Sequence, residues 1–247
     1  MLRKGSRGTD VRDLQEWLNL HDFGCGIDGD FGPATEAAVT AFQLNMNQPP
    51  VQFGEVDAST WQLLHRPIER ATAIDRAAAV GMTLPEAIVY FAKQHLAQHP
   101  REVGGQNRGP WVRLYCSGRD GDVWAWCAGF VSYIIGQACE ATGATRPIRS
   151  TVSCDVLALA AEQQGQLVRY ASASRSTRRL PQPRAGDLFL VYRRDDDWAH
   201  TGIVTDATPS VVVTIEGNTN DEGSREGYEV CARRRSYSRL DFISLQP

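Results

Sequence analysis

Apolar residues recur at helical spacing in the first quarter of the chain. Val11, Leu14, Trp17 and Leu18 fall three and four apart behind Asp10, which predicts a helix capped by that aspartate. Thr35, Ala38, Val39 and Phe42 repeat the pattern after Pro33, and Thr60, Trp61 and Leu64 form a shorter third stripe. The run between the first two helices, GCGIDGDFGP at 24–33, is dense in residues that accept positive φ or close turns with their own side chains. Phe53-Gly54-Glu55-Val56-Asp57 echoes it ahead of the third stripe. Each helix is amphipathic, so residues 1–66 are expected to share one small core.

Residues 67–81, which include ERATAIDRAAAV, are rich in Ala and Arg and predict a helical linker or a first supporting helix. Thr83 then opens a helix with a stripe of Ala87, Ile88, Phe91 and Ala92, and 126–138 predicts a second apolar helix. The period changes after that. Segments 187–193, 198–204, 211–215 and 228–233 are rich in β-branched and aromatic residues between Gly, Asp and Pro turns. Helices first and strands later predict an α+β fold with an antiparallel sheet. The expected organisation is a three-helix domain at 1–66, a linker at 67–81 and an α+β domain at 82–247.

Composition narrows the partners. With 26 Lys+Arg against 29 Asp+Glu, a net charge of −3 and a pI near 6.0, the chain offers no basic footprint, and no nucleic acid partner is expected. Through position 66 there are 5 basic and 9 acidic residues, and 21 and 20 after it, a shift in balance that agrees with two units. No stretch approaches the roughly 20 apolar residues of a membrane span, and the start, MLRKGSRGTD, lacks the apolar core of a secretory signal. Six cysteines without CxxC or Cys/His spacing predict neither a disulfide scaffold nor a zinc site, and no metal or cofactor is implied.

Three places carry candidate chemistry. Cys127, in DGDVWAWCAGFVSY, falls near the start of the 126–138 helix, where unpaired N–H groups and the positive end of the helix dipole favour a thiolate and can hold an oxyanion. His200, in WAHTGIV, is the histidine on a predicted strand, and an imidazole beside a thiol can take its proton and later return it to a leaving amine. In VVVTIEGNTN, strand alternation sends Val212, Thr214 and Glu216 to one face, with Asn218 joining them if the strand continues, and a carboxylate or amide there can orient an imidazole. Each also has a plain structural reading: a buried core thiol, a hydrogen-bonded strand histidine and a polar strand end. Asp195-Asp196-Asp197 reads as a solvated hairpin loop, and Arg233-Arg234-Arg235 as an exposed strand edge.

Two resemblances connect these pieces. The string G-x-DV-xx-LQ-xx-L, then DGDFGPAT-xx-AV-xx-FQ, then G-x-VD-xx-TW-xx-L, running from Leu2 to Leu64, resembles the three-helix peptidoglycan-binding module found at the ends of many cell-wall hydrolases. It implies peptidoglycan as partner, with Asp28, Asp30 and Trp61 as candidate contacts. From Glu102 to Asn218, the segments EVGGQNRGPWVRLY, WAWCAGFVSYI, PRAGDLFLVY, WAHTGIV and IEGN resemble the CHAP family of amidohydrolases and endopeptidases, relatives of NlpC/P60 and papain-like enzymes. That resemblance implies Cys127 as nucleophile, His200 as general base, and Glu216 and Asn218 as the residues that orient the histidine and complete the site; Trp126 is a candidate substrate contact. The chain departs from the family in an Arg- and Ser-rich insertion between 171 and 184 and in extra cysteines such as Cys116, departures that bear on the substrate pocket.

Together they imply a peptidoglycan hydrolase that cuts an amide of the peptide stem, acting as a monomer. The alternatives are a wall-binding protein without activity and a cysteine protease acting on protein. With no leader evident, delivery to the wall is expected through a holin, as for a phage endolysin, or through a secretion system. An injected effector would have a cognate immunity protein.

Overall fold

The structure is a computed structural model that describes all residues except 47–49, 51, 172–180, 195, 221–226 and 247. Most of the 171–184 insertion, and Asp195, therefore lie outside the described residues. The chain is an α+β protein: among the described residues, seven helices precede or flank a six-stranded sheet.

Three helices form the first unit: α1 (Thr9–Leu20), α2 (Pro33–Asn45) and α3 (Ala58–Thr72). Val11, Leu14, Trp17, Leu18, Phe31, Val39, Phe42, Val56 and Leu64 fill their common core, as the stripes predict. Two buried glutamines hold the Gly-rich loops. Gln15 accepts the N–H groups of Asp28 (3.0 Å) and Gly29 (2.8 Å), and Gln43 accepts that of Gly54 (2.9 Å) and donates to the Glu55 carbonyl (2.7 Å). The two loops are therefore built alike. Asp10 is not the cap of α1. Gly8 holds that position at φ 114°, which a side chain would oppose, and Asp10 lies within the first turn. Asp57 does cap α3, accepting from the Thr60 N–H at 2.7 Å.

The end of α3 differs from expectation. The helix continues through Pro67 to Thr72, six residues past position 66, and 76–81 form turns instead of a linker helix. Side chains of the second unit hold this helix end: Gln137 and Gln94 both donate to the Ala71 carbonyl, at 2.8 and 2.9 Å. Trp17 meets Trp111 edge-on at 6.1 Å, buried Glu16 pairs with Arg113, and Arg101 donates to the Leu20 carbonyl at 2.8 Å and pairs with Asp22. One continuous hydrophobic cluster runs across this junction.

The remaining helices are α4 (Leu84–Leu96), α5 (Pro110–Tyr115), α6 (Cys127–Thr142) and α7 (Cys154–Gln163). Thr83 and Glu86 form a reciprocal cap on α4, and Gly143, at φ 73°, ends α6 in the left-handed conformation. The strands are β1 (Leu167–Val168), β2 (Leu188–Arg194), β3 (Asp197–Ala207), β4 (Val212–Thr219), β5 (Glu229–Arg235) and β6 (Leu240–Ile243). They pair antiparallel throughout in the order β1-β6-β2-β3-β4-β5. Alternation along the strands serves two cores. Leu188, Leu190, Ile203 and Ile215 join the helical core, while Phe189, Val204, Val212 and Phe242 form a smaller cluster of their own. Helices α5 and α7 and the short strands β1 and β6 leave no periodic signature, because runs of two to ten residues carry too few repeats to establish a period.

Candidate active site

Cys127 is the first residue of α6, and α6 lies against β3 and β4. The approach is close enough to require glycine on the sheet. A Cβ at Gly217 would stand 2.7 Å from Phe130 and 2.8 Å from the Trp126 ring; one at Gly202 would stand 2.7 Å from Phe189 and 2.9 Å from Glu216. Gly217 lets the start of α6 meet β4, and Gly202 leaves room on β3 for the Phe189 ring and the Glu216 side chain.

His200, on β3, and Glu216, on β4, meet at that point, with Nε2 and Oε2 2.9 Å apart. The glutamate is fully buried, and the imidazole retains a partly exposed edge, 17% of its side chain. Glu216 is held by three further contacts: Arg235 Nε to Oε1 at 2.6 Å, Arg235 Nη2 to Oε2 at 2.5 Å, and the Thr214 hydroxyl to Oε1 at 2.5 Å. Burial opposes the carboxylate's charge, but hydrogen bonds from Arg235 and His200 and their positive charges outweigh it and hold its pKa at about 2. With Nε2 engaged, Nδ1 is the imidazole nitrogen left for the Cys127 sulfur.

Cys127 meets a partner that the sequence did not suggest. Its sulfur lies 3.6 Å from that of Cys154, the first residue of α7. The Cys127 thiol is held well below its ordinary range, first by the hydrogen bond with Cys154. Burial opposes this, and the hydrogen bond and charge of His200 and the Thr201 N–H reinforce it. Cys154 is pushed the other way by the same hydrogen bond and by its own burial, so it stays the protonated donor. The imidazole is likewise shifted: burial would lower its pKa, but hydrogen bonds to Cys127 and Glu216 and their negative charges raise it to about 9. The arrangement favours a thiolate–imidazolium pair at neutral pH, with a first helical turn whose N–H groups have no intrahelical acceptor.

The other expected site residues go elsewhere. Asn218 does not orient His200. It sits at φ 53°, within the irregularity of the β4–β5 ladder between Glu216 and Thr219, so the alternation that carries Glu216 inward does not extend to it. With its amide oriented to match its neighbours, it accepts from the Trp126 N–H at 3.1 Å and donates to the Gly227 carbonyl, which ties the sheet to the start of α6. Trp126 is not a surface contact either. Its ring is fully buried, stacked on Tyr115 at 5.4 Å, and its Nε1 donates to Glu102 at 2.8 Å. Arg235 is not a solvated edge, since it anchors Glu216. His95, in the last turn of α4, is completely buried between the Tyr115 hydroxyl (2.8 Å) and the Gln137 side chain (3.0 Å).

In the first unit, Asp28 accepts from Gln15 Nε2 at 2.8 Å and from the Asp30 N–H at 2.9 Å, and Asp30 pairs with Arg7 at 3.0 Å. Both serve the loop. Trp61 instead lines a cleft of about 430 Å³ together with Asp10, Val56 and Asp57. Cys154 and Arg235 were missed: Cys154 begins a helix without a long period, and nothing local to Arg235 distinguishes it from its two neighbours.

Residues 7–64 match the family model of a peptidoglycan binding domain, which makes the three-helix unit a peptidoglycan-binding module and indicates peptidoglycan as its partner. No curated protein and no solved structure matches the chain.

Proposed function

We propose that the protein is a peptidoglycan hydrolase in which Cys127, His200 and Glu216 cleave an amide of the peptide stem while the N-terminal module holds the wall. The observation that carries this reading is the convergence of a helix-start thiol, an imidazole and a buried carboxylate at one point, in a chain that also carries a peptidoglycan-binding module. The resemblance of residues 102–218 to the CHAP family supports the same reaction class.

The Cys127 thiolate attacks the scissile carbonyl, and the N–H groups of the first turn of α6 stabilise the oxyanion. Imidazolium His200 protonates the departing amine, leaving a thioester that water hydrolyses with His200 as base. Glu216 holds the ring through Nε2 and balances its charge, the orienting role of a triad's third member. Cys154 donates to the thiolate in the resting state. The module adds local concentration at the wall.

Mass spectrometry of muropeptides released from sacculi tests the reading. Wild-type protein is expected to produce new stem fragments, and Cys127→Ala to lower their rate at least about a thousand-fold while remaining folded. Identical products from the two proteins would overturn the hydrolase and leave a wall-binding protein.

A further inference from the structure

We propose that Cys154 is a resolving cysteine: peroxide oxidation of Cys127 is captured as a reversible Cys127–Cys154 disulfide that switches the site off and protects its sulfur. The inference rests on the reading of Cys127 as the nucleophile and concerns the regulation of that same site.

The two sulfurs are held together by the architecture. Both cysteines occupy the first position of a helix, and their sulfurs stand 3.6 Å apart where the starts of α6 and α7 converge. The segment leading into α7 is fastened to α6 by Ser132, whose hydroxyl donates to the Thr151 carbonyl at 2.8 Å and accepts the Thr151 N–H at 3.1 Å. Ser153 caps α7 by accepting the Val156 N–H, and Asp155 anchors the helix to β3 by accepting the Trp198 N–H at 2.8 Å. Bonded sulfurs lie about 2.05 Å apart, so bridging requires an approach of roughly 1.5 Å, within reach of side-chain rotation.

The chemistry balances with hydrogen peroxide as the oxidant. The Cys127 thiolate attacks one peroxide oxygen and the O–O bond breaks, giving a sulfenic acid and a hydroxide that takes the His200 proton to become water. The Cys154 sulfur then attacks the sulfenic sulfur; the S–S bond forms, the S–O bond breaks, and the hydroxyl leaves as water with the Cys154 proton. Two thiols lose two electrons, and one peroxide becomes two waters. A reductant such as dithiothreitol reverses the bridge by thiol–disulfide exchange. Without Cys154, the sulfenic acid is open to a second peroxide and to irreversible sulfinic acid.

The test uses the full chain treated with hydrogen peroxide, alkylated and examined by intact mass and by peptide mapping, with muropeptide release followed before and after dithiothreitol. The expected result is loss of two hydrogens, a cross-link between the peptides carrying Cys127 and Cys154, and loss of activity that dithiothreitol restores. Cys154→Ser should instead gain two oxygens at Cys127 that dithiothreitol does not remove. Accumulation of sulfinic acid on wild-type Cys127 at the rate seen in Cys154→Ser, or a bridge to a different cysteine, would overturn the proposal. Because the cross-link is read by mass, the two claims separate. A cross-link in a protein that hydrolyses nothing when reduced supports the pairing and sinks the hydrolase, and hydrolysis without a cross-link sinks the latch alone.

Discussion

Arg235 clasps the buried carboxylate of Glu216 with two hydrogen bonds, reaching it from the β5 position opposite Val212. Its guanidinium also lies over the Phe189 ring, 5.1 Å from the centroid. The charge that orients His200 is thus itself held ionised from behind by a second charge. Replacing Arg235 by Ala leaves a fully buried carboxylate with only His200 and Thr214 as partners among these contacts. We expect a loss of about 3 kcal/mol in urea denaturation and reduced activity. Arg235→Lys should recover only part of both, because an ammonium cannot reproduce the two-pronged contact.

The pH dependence of the proposed reaction follows from His200. Its folded pKa, about 9, lies above the ordinary 6.5, so the imidazolium is present below that range and is lost as pH rises through about 9. The rate of muropeptide release is therefore expected to fall above pH 9. Glu216→Gln removes the anion that helps to raise His200, so its alkaline limb should move to lower pH. An unmoved limb in rate–pH profiles would separate Glu216 from the histidine's titration.

His95 makes the fold sensitive to acid. Gln137 donates its amide N–H to the Ala71 carbonyl, so its oxygen accepts from His95 Nε2, and Nδ1 accepts from the Tyr115 hydroxyl. The ring is neutral, and burial lowers its pKa to about 4 despite the hydrogen bonds that oppose the shift. The unfolded chain binds this proton below about 6.5 and the folded one only near 4, so stability falls as pH drops through that window. Roughly 3 kcal/mol is expected between pH 7 and pH 4 from this group. Urea midpoints at pH 7, 5 and 4 measure it, and His95→Gln, which takes up no proton, should show a smaller decline.

Point substitution separates wall binding from the proposed hydrolysis better than truncation does. Removing residues 1–66 would uncover Trp111 and strip Arg113 of buried Glu16, so truncation is expected to lower the melting temperature of what remains. Trp61 lines its cleft within the module. Trp61→Ala should weaken sedimentation with sacculi several-fold while leaving hydrolysis of soluble muropeptides unchanged. Equal losses on both substrates would remove the division of labour.

Glu16 ties the module to the loop before Cys127. Its carboxylate is almost wholly buried and is paired with Arg113, which also reaches Asp120 at 2.9 Å in the loop that leads to Cys127. Arg113→Ala is expected to cost about 2 kcal/mol, less than a fully buried pair because the guanidinium is about a third exposed. Chemical denaturation checks it.

What the amino-acid sequence determined by itself is whatever depends on near neighbours along the chain. The three stripes from Val11 to Leu64, the turn chemistry of 24–33, the Thr83 cap and the change of period after 187 are local patterns, and the elements stand where those patterns put them. Cys127, His200 and Glu216 could be singled out because each sits in a motif with its own context.

Tertiary structure alone decided the rest. Cys154 beside Cys127, Arg235 behind Glu216 and Gln137 against His95 join residues between 19 and 42 positions apart, and no periodicity encodes such pairs. The same holds for Trp126 and Asn218. An indole next to Cys127 and an amide two residues beyond the carboxylate are in the right place in the text, but packing turned one into the core and the other onto the backbone at the start of α6. Local sequence sets which conformations a segment can adopt; which side chains then share a buried site is set by how helices and sheet close on one another.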